Sequence, residues 1–199
     1  MDGEASFTNC EVAGAGESPP GPDGAFYVGE EGSVRFNGEL AMEYVSITDD
    51  GGDNGGGIYN RGNVEIKGNA KFESLRARNG GAIFNTAGAQ VRFTNQATAL
   101  FRDCTANDGF GGSLYNEGFF KCSGPALFIE QDAPTIVVST TGMTLLSENS
   151  VFWDNEDTFE PAILVAYGGE LDIPNSVLFV DDVESDCSTV HFAGDDTCL

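Results

Sequence analysis

The chain is predicted to be all-β, a single-stranded, right-handed parallel β-helix of about six coils, each 23–30 residues long. Three observations predict it. One segment recurs as Gly56-Gly57-Ile58-Tyr59-Asn60, Gly81-Ala82-Ile83-Phe84-Asn85 and Gly112-Ser113-Leu114-Tyr115-Asn116. An alternating triplet follows each copy, and an apolar patch follows each triplet by six to eight residues. Short strands repeated at this period indicate a solenoid, because one repeat cannot bury its apolar face alone and stacking buries a continuous core.

The elements follow in chain order. Phe7-Thr8-Asn9-Cys10 lies in the same phase as Phe101-Arg102-Asp103-Cys104, so the chain is expected to enter part-way round a coil. Residues 1–23 then comprise this partial coil and a loop carrying Pro19, Pro20 and Pro22. Coils are expected over 24–186 and a cap over 187–199, all within one domain of 199 residues.

Within a coil, the first strand ends at Asn60, Asn85 or Asn116, each ahead of a glycine-containing turn. Asn tolerates left-handed backbone, and stacked amides hydrogen-bond between coils, so these three are expected to form a structural ladder. The triplets are Val34-Arg35-Phe36, Val64-Glu65-Ile66, Val91-Arg92-Phe93, Phe120-Lys121-Cys122, Met143-Thr144-Leu145 and Leu171-Asp172-Ile173. Their last residues fall at 36, 66, 93, 122, 145 and 173, at intervals of 30, 27, 29, 23 and 28. Alternation sends the first and third residues inward and the second outward. The outward series is then Arg35, Glu65, Arg92, Lys121, Thr144 and Asp172, which begins as a ladder of alternating charge. The third strand is marked by Tyr44, Phe72, Phe101, Phe128, Phe152 and Phe179, expected as a stack in the core.

The stretch Phe72-Glu73-Ser74-Leu75-Arg76-Ala77-Arg78-Asn79-Gly80-Gly81-Ala82-Ile83 and its partner Phe101 to Leu114 resemble the GGAI and FxxN repeats of chlamydial polymorphic outer-membrane-protein passenger domains. More broadly they resemble pectate-lyase-like right-handed β-helices. The resemblance runs from about residue 56 to 120; Gly80-Gly81-Ala82-Ile83 matches its motif letter for letter, and Leu75 and Cys104 replace the Asn of FxxN. It implies a β-helix used either as a surface adhesin or as a polysaccharide-processing enzyme.

Charge narrows the partners. Nine Lys and Arg face 32 Asp and Glu, a formal charge of −23. Phosphate contacts need clustered cations, so nucleic acid is excluded as the main partner. Apolar residues at 40% still suffice for a packed core, and 27 glycines, about twice average usage, imply many turns. All nine cations lie between Arg35 and Lys121 with ten acids; residues 122–199 hold fifteen acids and no Lys or Arg. No run of 18 apolar residues occurs, so no membrane span is expected, and Met1–Cys10 shows no signal-peptide pattern.

Five cysteines leave at least one thiol without a partner inside the chain. A disulfide between Cys187 and Cys198 is expected to fasten the cap and points to an extracellular, cell-surface or other oxidising compartment. Cys122 occupies the inward place of Phe93 and Ile66 and reads as a small core residue. The single histidine, His191, lies in the tail, away from any candidate nucleophile.

Calcium is the candidate cofactor. Asp49, Asp50, Asp53 and Asn54 place four oxygen-bearing side chains in one loop, as a hard cation requires. Acidic turns at Asp103 with Asp108, Asp154 with Asp157, and Asp181, Asp182 and Asp186 belong to the same edge; solvated turns, with Arg76 and Arg78 relieving repulsion, are the alternative. No catalytic residues are assigned. The expected function is a non-catalytic interaction module offering a rigid face to a glycan, a surface component or a partner subunit. Its binding candidates are Arg35, Glu65, Arg92, Lys121 and Trp153. A calcium-assisted carbohydrate-active enzyme is the alternative.

Overall fold

The computed structural model describes residues 3–8, 11–12, 24–47, 54–107, 109–131, 134–153, 162–174, 177–180, 190–192 and 197–198. These residues form a parallel β-solenoid without helices, its 25 strands arranged in four sheets. One coil shows how they are built. Ile83–Asn85 lies in an eight-stranded sheet, Gln90–Phe93 in a six-stranded sheet, Ala99–Arg102 in a seven-stranded sheet and Thr105–Ala106 in a four-stranded sheet. The six-stranded sheet spans five full turns between its first strand, Ser33–Phe36, and its last, Glu170–Asp172. The two-residue strands of the fourth sheet escaped the sequence pattern because they are too short to show alternation.

Stacking makes the fold tight where the glycines repeat. A Cβ on Gly81 would lie 2.3 Å from the carbonyl oxygen of Gly112 in the next coil, so no side chain fits there. Gly80, at φ 61°, supplies the left-handed turn just before it.

Inside, Phe72, Phe101, Phe128, Phe152 and Phe179 stack coil on coil with ring centroids 4.6–4.9 Å apart. Phe93 meets Phe101 edge to face at 6.3 Å from the six-stranded sheet, and Ile58, Ile83, Leu114, Ile136 and Ile163 close the core from the eight-stranded one. Each fully buried Phe contributes about 1.5–3 kcal/mol of transfer free energy.

Two expectations need correction. Tyr44 does not join the Phe stack; Met42 pairs with Phe72 and takes that place. Tyr44 instead sits at φ 55°, 55% exposed, aligned with the exit bends at Ser74, Asp103 and Glu130, which share a left-handed backbone. The bend needs one left-handed residue per coil, and an aromatic there projects into solvent. The second correction is a slip of one residue. Phe120 pairs with Thr144 and Lys121 with Leu145, so Thr144 points inward and is fully buried while Met143 is 36% exposed. The inward pair of that coil is Thr144 and Leu146, because Thr144 accepts a hydrogen bond from the Asn ladder.

The ends behave as follows. Ala5–Thr8 pairs in parallel with Leu40–Glu43, aligning Phe7 with Met42. Val190–Phe192 adds a further parallel strand beside Ile163–Val165, and Thr197–Cys198 then pairs antiparallel with it and ends the sheet. Residues 13–23, Cys10 and Cys187 lie outside the described residues, as does the side chain of Cys198.

Candidate functional site: the outward sheet faces

The strands that bury Asn60, Asn85 and Asn116 bring their amides into one column. Asn60 Nδ2 donates to Asn85 Oδ1 at 2.8 Å, and Asn85 Nδ2 donates to Asn116 Oδ1 at 2.8 Å. Each amide also donates to a backbone carbonyl of the next coil, Asn60 to Gln90, Asn85 to Phe119 and Asn116 to Met143. All three are fully buried, so the column is structural and closed to ligands.

Arg35, Glu65, Arg92 and Lys121 line one outward column of the six-stranded sheet. Arg35 pairs with Glu65. Arg92 turns away from Glu65 to Gln90 Oε1, 2.9 Å from Nη2, and lies over the Phe119 ring at 4.4 Å. The alternating ladder is therefore realised at its first step, because Glu65 is engaged by Arg35 and the Phe119 face attracts the second guanidinium. Lys121 has no ion-pair partner among the described residues. It borders an open cleft of about 420 Å³ lined also by Leu145, Ser147, Glu148 and Asp172.

A third column runs outside the eight-stranded sheet. Tyr27, Tyr59, Phe84 and Tyr115 stack at 5.9, 5.3 and 5.1 Å. Their faces cover one another, so the inner rings offer no free face to a sugar. Burial raises the Tyr115 phenol above its ordinary range.

The seven-stranded sheet is different, and the sequence reading passed over it except for Trp153. Its outward positions begin with ions: Lys71 Nζ bridges Glu43, at 2.8 Å, and Glu73, and Arg102 reaches Glu73 at 3.4 Å. Glu73 is held below the usual carboxylate range by the hydrogen bond from Lys71, despite a partial loss of hydration. Hydrogen bonds to Glu43 and Glu73 raise Lys71 above its ordinary value. Towards the C-terminal coils the same columns become apolar. Leu100, Leu127, Val151 and Leu178 align in one, and Ile129 and Trp153 follow Arg102 in the other. Trp153 is 52% exposed and Leu178 54%. The missed signal was present: the second and fourth residues of Ala126-Leu127-Phe128-Ile129 are as apolar as the first and third, whereas one wet face normally shows alternation.

The remaining candidates fall as follows. Asp49, Asp50 and Asp53 lie outside the described residues, as do Asp108, Asp154, Asp157, Asp181, Asp182 and Asp186. Asn54 Oδ1 accepts a hydrogen bond from Asn79 Nδ2 at 2.7 Å, and Asp103 Oδ2 accepts one from the Ser74 hydroxyl at 2.8 Å. Among the described residues no three His, Cys, Asp or Glu side chains converge as a metal site. Asp172 faces outward beside Leu145. Cys104 and Cys122 are free and buried, and loss of hydration pushes both thiols up to about 12.

No helix among the described residues is long and apolar enough to cross a membrane. In comparison with known proteins, no family model, curated sequence or solved structure matches this chain.

Proposed function

We propose that the protein is a non-catalytic interaction module whose rigid solenoid docks a partner on the outer face of its seven-stranded sheet. The observation that carries this is the change along that face from the Lys71–Glu73–Arg102 ion network to an unbroken apolar strip ending in exposed Trp153 and Leu178. Every one of those residues stands on a strand hydrogen-bonded on both sides or at the last rung, so the surface is presented without a conformational cost. Contiguous apolar patches of this kind mark interaction sites. The GGAI-type match at Gly80–Ile83 supports an adhesin-like use, and membership in either group of β-helices belongs to this proposal, as does an extracellular or cell-surface location.

Trp153 is the sole tryptophan and reports on this face directly. Its emission should be red-shifted and quenched by iodide in the free protein, and the protein should bind a hydrophobic dye that Leu127→Asp with Leu178→Asp displaces. A shielded indole in the free protein would sink the reading.

A second reading rests on the cleft beside Lys121, where Glu148 and Asp172 add two carboxylates to a cation. This set suits a calcium-assisted carbohydrate-active enzyme of the lyase, hydrolase or epimerase type. Depolymerisation of uronic-acid or neutral polysaccharide, with and without EGTA, decides it: cleavage lost in Lys121→Ala supports it, and no cleavage under either condition removes it.

A further inference from the structure

We propose that the occupant of the seven-stranded sheet face is a cationic amphipathic segment of a partner protein, an inference that rests on the docking-face reading above. Three arguments select this chemistry over a glycan or a second copy of the chain.

The first is the composition of the strip. From Leu100 onward its two outward columns carry half-buried Leu127, Ile129 and Val151 and exposed Trp153 and Leu178, with Arg102 as the one polar side chain among them. Sugar sites combine an aromatic ring with several hydrogen-bonding groups that fix the hydroxyls, and these rungs hold Trp153 without such groups. An apolar protein surface fits them.

The second is the rim. Exposed Asp103 and Glu130 follow the strip at its exit bend, and exposed Glu148 lies in the turn that leads into it. Residues 122–199 hold fifteen acids and no Lys or Arg. A partner carrying Lys or Arg around an apolar centre would meet opposite charge on both sides of the strip, which raises its association rate and excludes acidic competitors. A second copy would bring its own −23 charge and an identical acidic rim against this one.

The third is spacing. Rungs on this sheet repeat at the 4.6–4.9 Å of its inner ring stack. A helix advances about 5.4 Å per turn, so a helix laid along the solenoid axis would set roughly one apolar side chain on each rung. Four rungs correspond to about 10 residues of such a helix.

The experiment titrates the full chain with tryptophan-free Leu/Lys amphipathic peptides of about 14 residues, with Leu/Glu and Leu/Gln peptides of the same pattern beside them. Trp153 emission and calorimetry are the readouts. The Leu/Lys peptide should give a saturable blue shift that weakens with salt. Leu127→Asp should weaken its binding at least about tenfold, and Glu130→Gln about threefold; Leu178→Asp, on the last rung, replaces Leu127→Asp if the latter fails to fold. Equal binding of the Leu/Glu or Leu/Gln peptide would overturn the cationic partner and leave the docking face standing. So would displacement of the peptide by a neutral oligosaccharide, or silence of every peptide while iodide still reaches Trp153. An indole shielded before any peptide is added would remove the docking reading itself.

Discussion

Asn116 Nδ2 donates to Thr144 Oγ1 at 2.9 Å, and this one bond explains both the end of the Asn ladder and the slipped register of the coil beyond it. In the eight-stranded sheet the residue following Asn116 in the column is Val138, whose side chain has no acceptor to offer. The amide therefore turns to the six-stranded sheet, where Thr144 is drawn inward and Met143 is left outside. An unmade hydrogen bond in a buried column costs more than the partial exposure of a methionine.

Thr144→Val keeps the shape and removes the acceptor. It should destabilise the protein by about 1–2 kcal/mol, since Asn116 Nδ2 retains its second bond, to the Met143 carbonyl at 2.9 Å. Thr144→Ser keeps the hydroxyl and should cost less. Urea midpoints for the two variants check the order, and a neutral Thr144→Val would contradict the assigned role.

Asn85 occupies the middle of the ladder, accepting from Asn60 and donating to Asn116. Asn85→Ala removes one bond from each neighbouring Asn, leaving the Asn60 amide its Gly62 and Gln90 carbonyls and Asn116 Oδ1 its Gly118 N–H, and opens a cavity in the column, so it should lower stability by about 2–3 kcal/mol. Asn149→Ala, at an exposed turn, should stay within about 0.5 kcal/mol of the parent. Chemical denaturation of the pair gives the comparison, and similar midpoints would refute the ladder's contribution.

The Lys71 network predicts a stability profile with two shoulders. Glu73 titrates below its ordinary 4.5 in the folded chain, chiefly through the hydrogen bond from Lys71, so its contribution is complete above that value and is lost as pH falls through the depressed one. Lys71 titrates above its ordinary 10.5, through Glu43 and then Glu73, so its contribution is complete below 10.5 and is lost as pH rises through the raised value. Both groups are partly hydrated, which limits the network to about 1 kcal/mol. Lys71→Met should lower the melting temperature most between roughly pH 5 and pH 10 and least at either extreme. A difference independent of pH would contradict this.

Cys104 and Cys122 should resist alkylation in the native state, because both thiols are buried and held protonated up to about 12. Iodoacetamide at neutral pH, read by mass spectrometry, should label them only when urea unfolds the chain. Rapid native labelling at either position would show that the core opens locally.

Much of the solenoid was legible because period carries it. The Phe stack, the Asn column and the inward place of Cys122 each follow from one residue recurring at one phase. Tyr44 and Thr144 depart from the repeat pattern for a different reason: apolarity by itself does not mark an inward position. At Tyr44 backbone handedness decided, and at Thr144 a hydrogen bond did. The candidate binding column fared similarly. Arg35, Glu65, Arg92 and Lys121 do share one face, but Gln90, two residues before Arg92, and Phe119, which pairs with Gln90 in the next coil, set where Arg92 points.

A sequence repeated at this period carries the coil, its three longer strands and its core, since each repeat must bury the same stripe against its neighbour. It also carries the location of charge, with cations confined to Arg35–Lys121. Whether those charges oppose one another was settled only by stacking: residues 28 or more apart, such as Lys71 and Glu43, become neighbours when coils lie in register. The same stacking turns Leu100, Leu127, Val151 and Leu178, single apolar residues in separate coils, into one continuous surface. Local pattern tells which side of a strand faces out; the register between coils decides what that side becomes.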